Sequence, residues 1–252
     1  MAMRHLVVVP WLLMLALLSG CAGLDVRDLG LGGSGEEARA EQAIREALRI
    51  GAERTVERTG REDGYRGNDL IRIGLPQELE SVGDTLRRVG LARQVDDLER
   101  RMNRAAEEAA REAVPVFVSA IRDMRPDDVY GVLRGPDDAA TQYLRGASEA
   151  TLRERYAPIV REQMQRAEIE RVYQPLREAA GRIPGLSALD VDLDRYVTDR
   201  ALDGLFTILA EEEQRIREDP AARTTRLLRE HFGRQGNSES VAWPGLLVTD
   251  AR

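Results

Sequence analysis

Acidic side chains are the residues of this chain whose types most readily support chemistry. Two carboxyl groups that converge in one cleft can act as a general acid and a general base. The candidates are Glu107, Asp138, Asp203, Glu212 and Glu213. The same acids also suit structural roles, because Glu213 precedes Arg217 by the i, i+4 spacing of an ion pair on one helix face. Their distances in space decide between the two roles.

Several other polar side chains accompany these acids. Asn103 and Glu107 are one helical turn apart beside an alanine-rich apolar stripe, where a half-buried polar group needs a partner. Such residues either surround one pocket, which would make them a candidate site, or connect helices. The predicted polar cluster consists of Asn103, Glu107, Asp138, Thr141, Asp203, Glu213 and Arg217.

The sequence gives little support for a metal site or for a nucleophilic catalytic group. The acids at 190, 192 and 194 alternate as at the start of a calcium loop, but such a loop needs Gly and Glu where Arg195 and Ala201 stand. We expect Asp194 to cap the helix that follows. With 1 cysteine and 2 histidines in the chain, a zinc site and a serine-histidine group are both disfavoured. We therefore predict no catalytic residue and no metal ligand.

Cys21, the single cysteine, follows a segment typical of an export signal. Arg4 supplies a positive start, and the apolar run from Leu6 to Leu18 is shorter than the roughly 20 residues that span a bilayer. The run ends in Leu-Ser-Gly-Cys at 18–21, which resembles the lipobox of bacterial lipoproteins. The resemblance implies that residues 1–20 are a signal peptide that is removed. Cys21 would then carry a diacylglycerol on its sulfur and an acyl chain on its nitrogen, and we predict no other cofactor.

The acyl chains and the charge of the chain indicate its partners. Two or more acyl chains anchor a protein stably to a membrane. In lipoproteins of Gram-negative bacteria, which this signal resembles, Asp after the cysteine retains the protein in the inner membrane, whereas Ala22 stands here. We therefore expect an outer-membrane lipoprotein that faces the periplasm. A net charge of -7 without a basic stripe disfavours nucleic acid as a partner.

The composition favours helices over sheet, because aromatic residues make up only 4% of the chain and Ala, Leu, Glu and Arg are abundant. We predict an all-α fold, a single multi-helix bundle-like domain with kinked helices at 36–233. Residues 21–35 are the lipidated cysteine and a flexible tether, and 234–252 form an irregular tail. A short extended segment is expected at 70–75. Helices are predicted at 36–58, 76–89, 91–124 with a kink at Pro115, 126–134, 136–146, 148–166 around Pro158, 169–181 around Pro175, 194–217 and 220–232.

Ordered short motifs along this domain resemble one family. They include Met-Asn-Arg-Ala-Ala-Glu at 102–107, Asp-Ala-Ala-Thr at 138–141, Tyr-Val-Thr at 196–198, Ala-Leu-Asp-Gly-Leu-Phe at 201–206 and Phe-Gly at 232–233. These stretches are similar to the bacterial lipoproteins grouped as domain of unknown function 4197. The resemblance covers about residues 36–233 and implies one exported helical domain, but no reaction.

Three functions remain open at this point. The absence of a catalytic signature favours a non-enzymatic module that binds a periplasmic protein or supports the envelope. A carrier of a lipid or small apolar ligand is the second, because Pro115, Pro158 and Pro175 could bend helices around a cavity. A carboxylate-dependent hydrolase is the third.

Overall fold

The computed structural model of this protein describes residues 31–166, 173–174, 178 and 191–218. They fall into two compact units that divide between Ala40 and Glu41, and the first contributes only residues 31–40, the start of the first helix. The packing described below belongs to the second unit. The predicted signal peptide, Cys21, most of the tether, most of the helix at 169–181, the helix at 220–232 and the tail lie outside the described residues.

The fold is all-α, as predicted, and no β-strand occurs in the described ranges. The first helix begins at Leu31, before the predicted boundary at Glu36, so the last residues of the predicted tether are helical. A wide turn, Arg87–Leu91, joins the second and third helices. The helices are α1 (Leu31–Thr59), α2 (Gln77–Leu86), α3 (Ala92–Ala110), α4 (Ala113–Arg122), α5 (Pro126–Arg134), α6 (Ala139–Arg166) and α7 (Leu193–Glu218).

The predicted helix at 91–124 is two helices, and the break precedes the proline. Pro115 lies in the first turn of α4, and the chain turns at Arg111 and Glu112 between α3 and α4. Proline has no N–H to donate to the carbonyl four residues earlier, which here belongs to Arg111. The interruption therefore falls one turn before Pro115.

The predicted helices at 136–146 and 148–166 are a single helix, α6, so this part of the prediction is wrong. Buried residues recur every fourth position along it, at Leu144, Ser148, Leu152, Tyr156 and Val160. This stripe continues across Gly146 and beyond Pro158. Burial of one continuous stripe outweighs the roughly 1 kcal/mol by which a glycine weakens a helix interior.

The core lies where α3, α6 and α7 pack against one another, with α4 against α6. Small side chains on α3 let the neighbouring helices approach closely: Ala105, Ala106, Ala109 and Ala110 are fully buried. Phe117 of α4 and Phe206 of α7 meet edge to face, with ring centroids 6.0 Å apart. The alanine stripe of α3 thus sets the spacing of the central helices.

The cap of α7 differs from the prediction. The Oδ1 of Asp192 accepts a hydrogen bond from the backbone N–H of Arg195 at 3.0 Å. Because the helix begins at Leu193, Asp194 lies inside its first turn and cannot be the residue that precedes it. The prediction of Asp194 as the cap is therefore wrong, and the capping residue lies two positions earlier.

Gly90→Ala should destabilise the protein by about 1–2 kcal/mol, because Gly90 has a φ of 90° and an L side chain there is strained. No neighbouring atom would contact the added Cβ, so the cost is conformational. Gly146→Ala is the matched control, since Gly146 is equally open but helical, and it should stabilise by about 0.5–1 kcal/mol. Urea unfolding measures both; equal effects would contradict this assignment.

Candidate functional site

The segment between α1 and α2 enters the helical core at Tyr65. The ring is fully buried, and its hydroxyl donates a hydrogen bond to the carbonyl of Ala201 on α7 at 2.6 Å. Its backbone N–H donates to the Oε1 of Glu107 on α3 at 3.3 Å. Burial, with the nearby charge of Glu107, raises the pKa of the Tyr65 phenol well above its usual range. Tyr65 is thus a permanent neutral donor that joins this segment to α7.

Gly204 makes the approach of Tyr65 to α7 possible. A Cβ at Gly204 would lie 2.6 Å from the Cε1 of Tyr65 and 3.1 Å from the Cβ of Ile71. Real side chains do not approach so closely, so any larger residue would push the ring away. Glycine at this position is a packing requirement.

Asn103 and Glu107, predicted to need partners, both bond to this inserted segment. Asn103 is fully buried and bonds to both backbone groups of Ile73: its Oδ1 accepts from the N–H at 2.9 Å, and its Nδ2 donates to the carbonyl at 2.8 Å. The same Nδ2 donates to the carbonyl of Glu99 at 2.7 Å. The second oxygen of Glu107 accepts from Arg104 at 2.7 Å. The extended segment predicted at 70–75 is therefore paired with side chains of α3 and not with a strand.

Glu213 connects three helices. Its carboxylate accepts from the backbone N–H groups of Ala140 and Thr141 at 3.0 and 2.8 Å, and from the hydroxyl of Thr141 at 2.8 Å. These donors are otherwise unpaired at the first turn of α6. Arg217 donates to Glu213 at 2.8 Å and to the carbonyl of Val132 at the end of α5 at 3.0 Å. The predicted members Thr141, Glu213 and Arg217 thus form one compact group that joins α5, α6 and α7.

Asp138 and Asp203 have partners outside that group. Asp138 precedes α6 and accepts from Gln142 at 2.8 Å. Asp203 lies on the exposed side of α7, 3.5 Å from the guanidinium of Arg145. The seven predicted residues therefore occupy several places in the fold, and most of their hydrogen bonds join helix ends or loops.

Glu212, one of the candidate acids, is buried beside α1. Its side chain is 0% exposed, and its Oε1 accepts from Arg58 at 2.6 Å. Arg58 also bonds to Glu211 at 2.7 Å. Sequence reasoning missed Arg58 because its separation from Glu212 along the chain leaves no local spacing to detect.

A ladder of ion pairs between α6 and α7 was also missed. Arg145, Arg153 and Arg161 recur every eighth residue of α6, and they pair in antiparallel order with Asp203, Asp199 and Asp194. Arg145 also lies over the ring of Phe206, 4.7 Å from its centroid. The recurrence of arginine at every eighth residue of α6 is the signal that could have revealed this ladder.

Beside this ladder is a charged groove of about 890 Å³. Ala157 and Thr198 leave space between the charged residues. Burial and the nearby Asp192 raise the pKa of Asp194, whose nearest cation is Arg161 at 3.7 Å. The groove is lined by Arg153, Ala157, Arg161, Asp192, Asp194, Arg195, Thr198, Asp199 and Asp203.

A second concavity is apolar and small. This crevice is lined by α1, α5, α6 and α7, is open on one side and has a volume of about 40 Å³. A cavity of about 150 Å³ is the size that accepts benzene. The crevice has room for the end of one apolar side chain, and much less than an acyl chain needs.

The described residues show neither a metal-binding cluster nor a membrane-spanning helix. Among them, no group of three or more histidine, cysteine or acidic side chains is placed to hold a metal ion. No helix in the same ranges combines the length and apolar character that crossing a bilayer requires.

Fold and site together define a helical domain whose buried polar side chains secure a long inserted segment and the ends of its helices. The chain belongs to the family described as protein of unknown function (DUF4197), whose model matches residues 34–233. The resemblance indicated by the short motifs is therefore confirmed. No curated protein and no solved structure matches the chain.

Asn103→Ala should destabilise the domain by about 2–4 kcal/mol, because it leaves the buried N–H and carbonyl of Ile73 without partners. Asn68→Ala is the control: the Oδ1 of Asn68 accepts from the exposed N–H of Leu70, and the loss should be about 1 kcal/mol or less. Denaturant unfolding measures the free energies, and amide hydrogen exchange at Ile73 should accelerate only in the first variant. Unchanged exchange there would contradict the role given to Asn103.

Proposed function

We propose that this protein is an outer-membrane lipoprotein, anchored through Cys21, whose helical domain binds another component of the periplasm and performs no catalysis. The observation that supports the non-enzymatic proposal is the bonding of two of the candidate acids, Glu107 and Glu213. Both oxygens of Glu107 and both oxygens of Glu213 accept from backbone or guanidinium donors. A general base needs a free lone pair that a substrate proton can reach.

The anchor rests on the residues around Cys21 and on the start of α1. The Leu-Ser-Gly-Cys motif at 18–21 closes an apolar run that begins two residues after Arg4. Leu31, the first residue of α1, follows Cys21 by ten residues. Even fully extended, such a connection spans at most about 35 Å. The domain would therefore act close to the membrane surface, where an envelope partner is within reach.

The anchor is tested by two substitutions at adjacent positions. Cys21→Ser should abolish incorporation of labelled fatty acid and leave the leader attached, because no sulfur is available for acylation. Ala22→Asp is the matched variant: it should remain acylated but fractionate with the inner membrane. Membrane separation on a density gradient, followed by immunoblotting, gives the location. Acylated Cys21→Ser protein, or wild-type protein in the cytosol, would refute the proposal.

The charged groove is the described surface that best fits a binding role. Its volume of about 890 Å³ is within the range of ligand sites, and its arginines and aspartates suit a partner segment that carries both signs of charge. Arg195 has an 80% exposed side chain at the rim, 3.8 Å from Asp199. A partner could therefore reach Arg195 without disturbing the core.

Arg195→Glu should weaken partner binding by about tenfold, equivalent to about 1.4 kcal/mol, because it places an acid among the groove aspartates. The readout is photo-cross-linking in intact cells from a reactive residue placed at Ala157. Arg122→Glu is the control, since Arg122 on α4 is 75% exposed and lies away from the groove. Equal adduct yields from both variants would exclude the groove as the binding surface. A separate result would favour an enzyme: a hydrolytic activity that is measured in the wild type and lost in Glu107→Gln.

A further inference from the structure

The apolar crevice lies beneath the middle of α1, where two small residues one turn apart, Ala47 and Gly51, line it. A Cβ added at Gly51 would lie 3.7 Å from the Cδ1 of Ile216, which is an ordinary contact, so an alanine fits at this position. Glycine inside a helix weakens that helix relative to alanine. Gly51 therefore weakens α1 beside the crevice although the packing does not require it.

Two buried threonines of α1 bond within their own helix. Thr55 and Thr59 are both 0% exposed. Their hydroxyls donate to the carbonyls four residues earlier, those of Gly51 and Thr55, each at 2.8 Å. A hydrogen bond within one helix persists when that helix moves away from its neighbours. These two hydroxyls therefore do not hold α1 to the other helices.

Two arginines do bond α1 to other helices. Arg45 donates to the carbonyl of Met124, just after the end of α4, at 2.7 Å. Arg58 donates to Glu212 and Glu211 of α7 at 2.6 and 2.7 Å. The side chains of Arg45 and Arg58 are 24% and 29% exposed, so water competes for both guanidinium groups. The crevice thus lies between two polar attachments of α1.

Glu212 is incompletely bonded while Arg58 holds it. Its side chain is 0% exposed, its Oε1 bonds to Arg58, and Arg215 lies 3.4 Å from the same oxygen. Its Oε2 has no hydrogen-bond partner among the described residues. A buried carboxylate oxygen without a donor is unfavourable. Movement of α1 away from α7 would admit water to this carboxylate, which offsets part of the lost bond to Arg58.

We propose that residues 41–59 of α1 act as a lid, which releases from the neighbouring helices while those helices stay folded. The bonds of Arg45 and Arg58 keep the lid closed. The unfilled crevice, Gly51 and the unpartnered oxygen of Glu212 lower the free energy of opening. Such openings of part of a structure occur without global unfolding. Opening would uncover four aliphatic side chains that are 1–5% exposed in the closed state: Val132, Leu144, Leu209 and Ile216.

Hydrogen exchange of the full chain, read by mass spectrometry, separates opening of the lid from global unfolding. The amides at 47–57 should exchange faster than those at 98–108 of α3. Gly51→Ala should slow exchange at 47–57 by about two- to fivefold, because alanine stabilises the closed helix.

Gly146→Ala is the matched control, since Gly146 is also helical and also has room for a Cβ, but lies on α6. It should leave the rates at 47–57 unchanged, because α6 stays folded when the lid opens. Equal slowing at 47–57 by both variants would overturn the proposal, since it would mean that α1 opens only when the whole domain unfolds.

The attachment at Arg58 is tested by Arg58→Met. This variant should accelerate exchange at 47–57 by about a hundredfold, because it leaves the buried Glu212 without its cation. Arg49→Met is the control, since Arg49 bonds to Glu46 and Glu53 of α1 itself, and the change should be about fivefold or less. Equal acceleration by both variants would contradict the role of Arg58 in closing the lid.

Thiol labelling shows whether the crevice wall is uncovered. The full chain carrying Cys21→Ser receives one thiol, either Ala140→Cys on the α6 side of the crevice or Ala109→Cys in the fully buried stripe of α3. Gly51→Ala should slow maleimide labelling at both positions by about two- to fivefold. Gly146→Ala should slow it at position 109 alone. Slowing at position 140 by Gly146→Ala as well would overturn the lid.

Discussion

The backbone between α1 and α2 must find hydrogen-bond partners inside a bundle of helices, and the rest of the structure depends on how it does so. Helices satisfy their own backbone groups, but a buried non-helical segment cannot. Asn103 bonds to both backbone groups of Ile73, and Glu107 accepts from the N–H of Tyr65. Tyr65 in turn reaches Ala201, and Gly204 leaves room for its ring. Loss of any one of these hydrogen-bonding side chains leaves its partner unsatisfied in a low-dielectric core.

The same principle operates at the helix ends. Glu213 accepts from the first turn of α6 and from Arg217, which also bonds to the last turn of α5. A carboxylate at a helix N-terminus is favoured by the helix dipole as well as by its hydrogen bonds. Together with the ion pairs between α6 and α7, this group sets the antiparallel register of the two helices. Glu213 therefore joins the ends of α5 and α6 to α7.

The functional proposal follows from the structural roles of these buried polar side chains. Glu107 and Glu213 are bonded to backbone groups inside the helical scaffold, so the surface is the part of the domain that we expect to meet a partner. The charged groove beside α6 and α7 supplies such a surface, with its rim arginine open to solvent. A lipid anchor at Cys21 would restrict the encounter to the membrane and so raise the effective concentration of any envelope partner.

The sequence by itself determined the helical class, because its helix formers recur with a period that matches one buried face per helix. It also indicated the break at Gly90, whose positive φ only glycine adopts easily, and it singled out Asn103 and Glu107 as buried polar groups in need of partners. Tertiary structure alone decided what those partners are, since Ile73, Tyr65 and Arg58 are distant along the chain from the side chains they meet. It also decided that α6 continues across Gly146 and that Asp192 caps α7. The physical reason is that local spacing encodes which face a residue occupies, whereas the energy of a long-range hydrogen bond or of a continuous buried stripe exists only once helices are packed together.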